Sequence, residues 1–143
     1  MKPSDRPTRI QVTTAIQASM DQVWMCWTQP KHITQWNAAS DEWHCPTATN
    51  DLRAGGRFSY HMAARDGSMG FDFSGTYDVV NRPEQIKYTL DDGRLVSIQF
   101  AETNDLTTVT EIFEAETENP VDLQQAGWQA ILDRFKQYVE SLP

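Results

Sequence analysis

The segment from Asn119 to Pro143 constrains the fold of this chain more than any other. Trp128, Ile131, Leu132, Phe135, Tyr138, Val139 and Leu142 recur at helical spacing, while Gln129, Asp133, Lys136 and Glu140 fall on the opposite side. Asn119 is placed to cap this helix, and Pro120 suits its first turn. About a hundred residues of strand-like sequence precede it. A helix is ~10–12 Å across, whereas seven strands ~4.8 Å apart make a sheet roughly 30 Å wide. One helix therefore cannot cover such a sheet. Geometry leaves two outcomes open. Either a cavity remains under the helix, or the five Trp and six Phe fill the space.

The strands are read from alternation and turn residues. Ile10, Val12, Thr14 and Ile16 alternate with polar or small residues. Ser19 and Gln22 form a capping-box pair opening a short helix whose buried face holds Val23, Trp24 and Trp27. Pro30 ends that helix and suits the start of a second, with Ile33 and Trp36 inward. Further strands are expected over Trp43–Thr49, Arg57–Ala64, Gly70–Val80, Gln85–Leu90, Leu95–Glu102 and Thr107–Thr117. Turn signals separate them at Gly55-Gly56, Asp66-Gly67, Asn81-Arg82-Pro83, Asp92-Gly93 and Asn104-Asp105. Phe58, Tyr60 and Met62 share one face. So do Phe71, Phe73, Gly75, Tyr77 and Val79, and likewise Ile86, Tyr88 and Leu90. The expected fold is α+β, a curved antiparallel sheet of about seven strands around a long C-terminal helix. Residues 1–143 are expected to form one domain, with its core over about residues 8–141.

Charge narrows the partners. The formal net charge is −8, and residues 95–133 contain eight acids with no Lys or Arg. An acidic chain with no basic stripe excludes nucleic acid and anionic membrane as expected partners. The plain reading of the acidic stretch is a solvated face. Met1 to Arg9 is polar and unlike a signal peptide, and no stretch approaches the ~20 apolar residues of a membrane span. Cys26 and Cys45 have no motif spacing. A cytoplasmic protein with reduced thiols is expected.

Several short patterns occur in a telling order. They are Ile16-x-Ala18, Val23-Trp24, Thr28-x-Pro30-x-x-Ile33-x-x-Trp36 and Gly55-Gly56-x-Phe58. Gly75-x-Tyr77-x-x-Val80, Pro83-x-x-Ile86-x-Tyr88-Thr89 and Gly127-Trp128-x-x-x-Leu132 follow. Together they resemble the START-like superfamily with the birch-pollen-allergen, or helix-grip, fold. Within it the chain looks like the branch of activators of the heat-shock chaperone ATPase. The resemblance runs from about residue 8 to residue 141. It implies a curved sheet gripping the last helix with a cavity between them. It leaves activity open, since the superfamily holds lipid and polyketide binders, cyclases and co-chaperone domains. The co-chaperone role usually involves a second domain, for which this chain has no room, so chaperone stimulation is not the leading expectation.

The leading expectation is a binder of a small hydrophobic molecule. Its site would be lined by Trp36, Trp43, Phe58, Tyr60, Met62, Phe71, Phe73, Tyr88 and Trp128. The alternative is an enzyme acting on a bound apolar substrate. His44 near Asp41 could form an oriented base, against the plainer role of hydrogen-bonded structural groups. Glu111 alternates with Val109 and Phe113 and shares their face. If that face points inward, a carboxyl with a raised pKa results; otherwise an edge or cap interaction explains it. His61 and Asp72 are expected to face outward. A third reading is a chaperone-binding or other partner-binding module using the acidic face, with a homodimer as a further candidate. No cofactor is expected. His32, His44, His61, Cys26 and Cys45 lack close ligand spacing for a metal. Gly67-Ser68-Met69-Gly70 is not a nucleophile elbow, because its serine directly follows a glycine.

Overall fold

A computed structural model describes residues 7–143; the first six residues of the polar N-terminal segment lie outside that range. The chain runs β1 (Arg9–Ile16), α1 (Met20–Thr28), α2 (Pro30–Trp36), β2 (Trp43–Asn50), β3 (Arg57–Ala64), β4 (Gly70–Asn81), β5 (Gln85–Leu90), β6 (Leu95–Thr103), β7 (Leu106–Glu114) and α3 (Val121–Ser141). The strands form one antiparallel sheet of seven, ordered β1-β7-β6-β5-β4-β3-β2. It is the expected α+β architecture, a curled half-barrel with α3 in its grip and two short helices after the first strand. Among the described residues no helix is long and apolar enough to cross a membrane.

Local chemistry accounts for most of these elements. Ser19 Oγ accepts from the backbone N–H of Gln22 at 3.2 Å and starts α1. Pro30 sits in the first turn of α2. Asn104 and Asp105 adopt positive φ (53° and 64°) as the two-residue loop joining β6 to β7. That is the loop geometry matching the strands' right-handed twist. Gly75 is required where β4 crosses closest to its neighbour. A Cβ there would stand 2.5 Å from the Thr89 carbonyl oxygen and 3.1 Å from the Phe58 ring.

Three expectations are corrected. Asn119 does not cap α3. Pro120 occupies the N-cap without a side-chain bond, and buried Gln124 holds the entry instead. Its Nε2 donates to the carbonyls of Glu116 (3.0 Å) and Asn119 (2.8 Å), and its Oε1 accepts from Glu116 N–H. The last strand ends at Glu114 rather than Thr117, because the Glu116 carboxylate gathers the N–H groups of Glu118 and Asn119 into a turn. Val79 does not share the face of Tyr77. The β4–β5 register slips at Asp78, so that Tyr77 opposes Tyr88 while Val79 opposes Lys87. One extra residue reverses the pleat, leaving Val79 exposed and setting Val80 against the core.

The core lies between the concave face of the sheet and the three helices. Leu132, Phe135 and Val139 of α3 are fully buried there with Val12, Ile16, Ile98, Val109 and Phe113. α3 also covers the free edge of β1. Gln125 and Gln129 donate from Nε2 to the carbonyls of Gln11 (3.2 Å) and Thr13 (3.1 Å). The edge that would otherwise invite another strand is thereby occupied.

Candidate functional site

A cavity of about 160 Å³ remains between the sheet and the helices. Each wall comes from a different element. β3 contributes Tyr60 and Met62, β4 contributes Phe71, Phe73 and Tyr77, and β5 contributes Ile86 and Tyr88. α3 supplies Trp128 and Ile131, while Trp27, Trp36 and Asn37 close the end formed by α1 and α2. Among the described residues the only acidic or basic side chain in the lining is Glu111 of β7.

The rings are held firmly. Trp128 stacks on Phe113 with centroids 3.7 Å apart and planes 9° from parallel. Its neighbour across the space is Phe73, edge-on at 5.9 Å. Trp36 donates from Nε1 to the Cys26 carbonyl at 2.9 Å, which fixes α2 against α1. Phe71, 54% exposed, stands at the mouth. A short polar relay lies on one side. Asn50 Nδ2 donates to the Thr28 carbonyl (2.7 Å) and to Tyr77 Oη (3.4 Å), which lies 3.5 Å from Tyr60 Oη.

Glu111 is 4% exposed. Its cross-strand neighbours are Val12 on β1 and Ile98 on β6, both buried and aliphatic. No hydrogen bond reaches its carboxyl among the described residues. Burial pushes the Glu111 carboxyl up to about 8. Burial also raises the phenols of Tyr60, Tyr77 and Tyr88, and the Glu111 charge adds to the shift at Tyr88.

Of the nine residues expected to line a site, Trp36, Tyr60, Met62, Phe71, Phe73, Tyr88 and Trp128 reach the cavity. Two do not. Phe58 lies behind the lining, packed against Tyr60, Tyr77 and Tyr88. Trp43 meets Phe71 edge-on at 6.0 Å outside the cavity. The expected His44–Asp41 pair does not form. Asp41 accepts from Arg134 Nη1 of α3 at 2.9 Å, and neither residue faces the cavity. His61 and Asp72 do face outward, bonded to each other at 2.8 Å. Cys26 and Cys45 are buried free thiols. Among the described residues no three His, Cys, Asp or Glu side chains converge as a metal site.

Sequence reasoning did not single out Trp27, Asn37, Tyr77, Ile86 or Ile131 as lining. Four of these carried a signal, since they fall on the inward faces of their strands and helices. Asn37 carried none; it enters only because α2 ends at Trp36 and turns the next residue toward the space.

The sequence model for activator of Hsp90 ATPase homolog 1-like proteins matches residues 17–140. Solved structures agree. The AHSA1-like protein from Aeromonas hydrophila is 48% identical, with a TM-score of 0.88 over 94% of this chain and 93% of that one. A protein from Cytophaga hutchinsonii is 52% identical, with a TM-score of 0.81 over 92% of each chain. A protein from Chromobacterium violaceum shares the fold at 20% identity, with a TM-score of 0.82 over 95% of this chain and all of that one. No curated protein matches the sequence significantly. Curved sheets of this kind frame modules that bind a ligand or a partner.

Proposed function

The chain belongs to the activator of Hsp90 ATPase homolog 1-like family, and on that footing we propose that it binds one compact apolar molecule between its sheet and α3. The observation carrying this reading is the ring-walled space of about 160 Å³. A dry apolar cavity of about 150 Å³ is large enough to hold benzene, whereas drug-sized pockets run from roughly 300 Å³ upward. The ligand is thus a single ring or a short branched chain, held by burial of its apolar surface. Three tryptophans in the wall make binding visible. Benzyl alcohol is expected to change the intrinsic fluorescence saturably and to raise the melting temperature. Ile131→Trp, which fills the space from α3, is expected to abolish both responses while the protein still folds. No response from the wild type, or an equal response from the filled variant, would count against the reading.

One observation favours a second reading, proton transfer to or from the bound molecule. A carboxyl pushed up to about 8 and facing the cavity suits a general base near neutral pH. With His44 and Asp41 outside, the reading rests on Glu111 alone. Acetophenone in D2O is expected to exchange its methyl protons faster with the protein than without it, and Glu111→Gln to remove the gain. Equal rates with and without protein would end this idea.

A further inference from the structure

We propose that the ligand is a compact organic ammonium ion, its N–H groups donating to Glu111 and its carbon skeleton enclosed by Tyr60, Phe73, Tyr88 and Trp128. This deepens the cavity reading above and rests on it. The geometry supplies both halves of a site for such an ion. One half is a carboxyl buried to 4% exposure, aimed into the space and without a partner among the described residues. The other is aromatic. Tyr60 and Phe73 lie nearly parallel 6.4 Å apart, Tyr88 stands perpendicular to Phe73 at 6.4 Å, and Trp128 closes the opposite side. Ring faces attract a cation most strongly where water is excluded.

The lining also discriminates. Among the described residues no Lys or Arg reaches the cavity, so a carboxylate or phosphate ligand would be buried beside Glu111 with no counter-charge from them. A neutral polar ligand gains only an uncharged hydrogen bond from Glu111, and a purely apolar one gains nothing from a carboxyl that costs stability in the empty protein. The flanking Val12 and Ile98 are fully accommodated at neighbouring places in the sheet, and an aliphatic residue at 111 would serve such a ligand better. The other titratable groups in the lining are the phenols of Tyr60, Tyr77 and Tyr88, of which Tyr88 lies close enough to feel the Glu111 charge. α1, α2 and the turn after them present Trp27, Trp36 and Asn37, and α3 presents Trp128 and Ile131. None competes as a cation.

Binding is a balanced exchange. The neutral carboxyl loses its proton to solvent, and the resulting carboxylate pairs with an ammonium group that already carries its own. Calorimetry of the whole protein near pH 7, in two buffers of different ionisation enthalpy, reads that proton directly. The probes are benzylamine, benzyl alcohol and benzoate. Benzylamine is expected to bind at least about tenfold tighter than benzyl alcohol, with release of nearly one proton, and benzoate not to bind. Glu111→Gln is expected to weaken benzylamine by about tenfold or more and to leave benzyl alcohol within about twofold. Equal wild-type affinities for benzylamine and benzyl alcohol would overturn the ammonium assignment and leave the cavity reading standing. So would benzylamine binding that releases no proton and ignores the substitution. Failure of all three probes to bind would overturn both.

Discussion

Glu111→Gln is expected to be more stable than the wild type above about pH 5, by a margin that widens toward pH 8. The sign follows from proton counts. The unfolded chain loses the Glu111 proton near 4.5, whereas the folded chain keeps it to about 8. Between those values the folded state holds more protons, so raising the pH favours unfolding. The cost accumulates at about 1.4 kcal/mol per pH unit across the window and levels off above it. Glutamine keeps the shape and never ionises, so it escapes the pH-dependent part. Every other titrating group is common to both proteins and cancels in the difference. Urea denaturation of the pair from pH 5 to 9 measures it. A margin constant across that range would show that Glu111 titrates as an ordinary surface carboxylate. If an ammonium ligand repays the cost, the substitution exchanges function for stability, the usual bargain at a binding site.

Phe135→Ala is expected to cost about 3–5 kcal/mol, enough to threaten a domain of this size. Phe135 is fully buried on α3. It meets Trp27 edge-on at 4.8 Å and Trp36 edge-on at 4.7 Å. Both indoles also line the cavity. Truncation therefore removes the transfer energy of a ring, two aromatic pairs of about 0.5–1.5 kcal/mol each, and the support for one end of the site. The midpoint of urea unfolding should fall sharply, with Phe135→Leu in between. A loss below about 1 kcal/mol would mean that Phe135 does not anchor α3 against the first two helices.

Much of this architecture is legible in the sequence because strands and helices advertise their buried faces locally. The apolar spacing of α3 needed no tertiary information, nor did the Ser19 cap, Pro30 at the start of α2, or the two-residue turn at Asn104-Asp105. Alternation also put Tyr60, Met62, Phe71, Phe73 and Tyr88 on inward faces correctly. It failed at Val79, because one extra residue at Asp78 inverts the pleat and leaves no mark in the apolar pattern. It overreached at His44 and Asp41, where nearness in sequence suggested a pair. Arg134, distant in sequence, claimed Asp41 when α3 folded back over the loop.

The chain by itself determined which residues turn inward, because side-chain direction repeats every two residues in a strand and about every 3.6 in a helix. Only the tertiary structure decided what those residues enclose. A cavity is the difference between the volume bounded by a curved sheet with its helix and the volume of the side chains inside. No local period encodes that difference. Glu111 shows the same division. Its alternation with Val109 and Phe113 was plain in the sequence. Its fate as a carboxyl with no partner among the described residues followed only when Val12, Ile98 and the rings of six other elements came together around the space it faces.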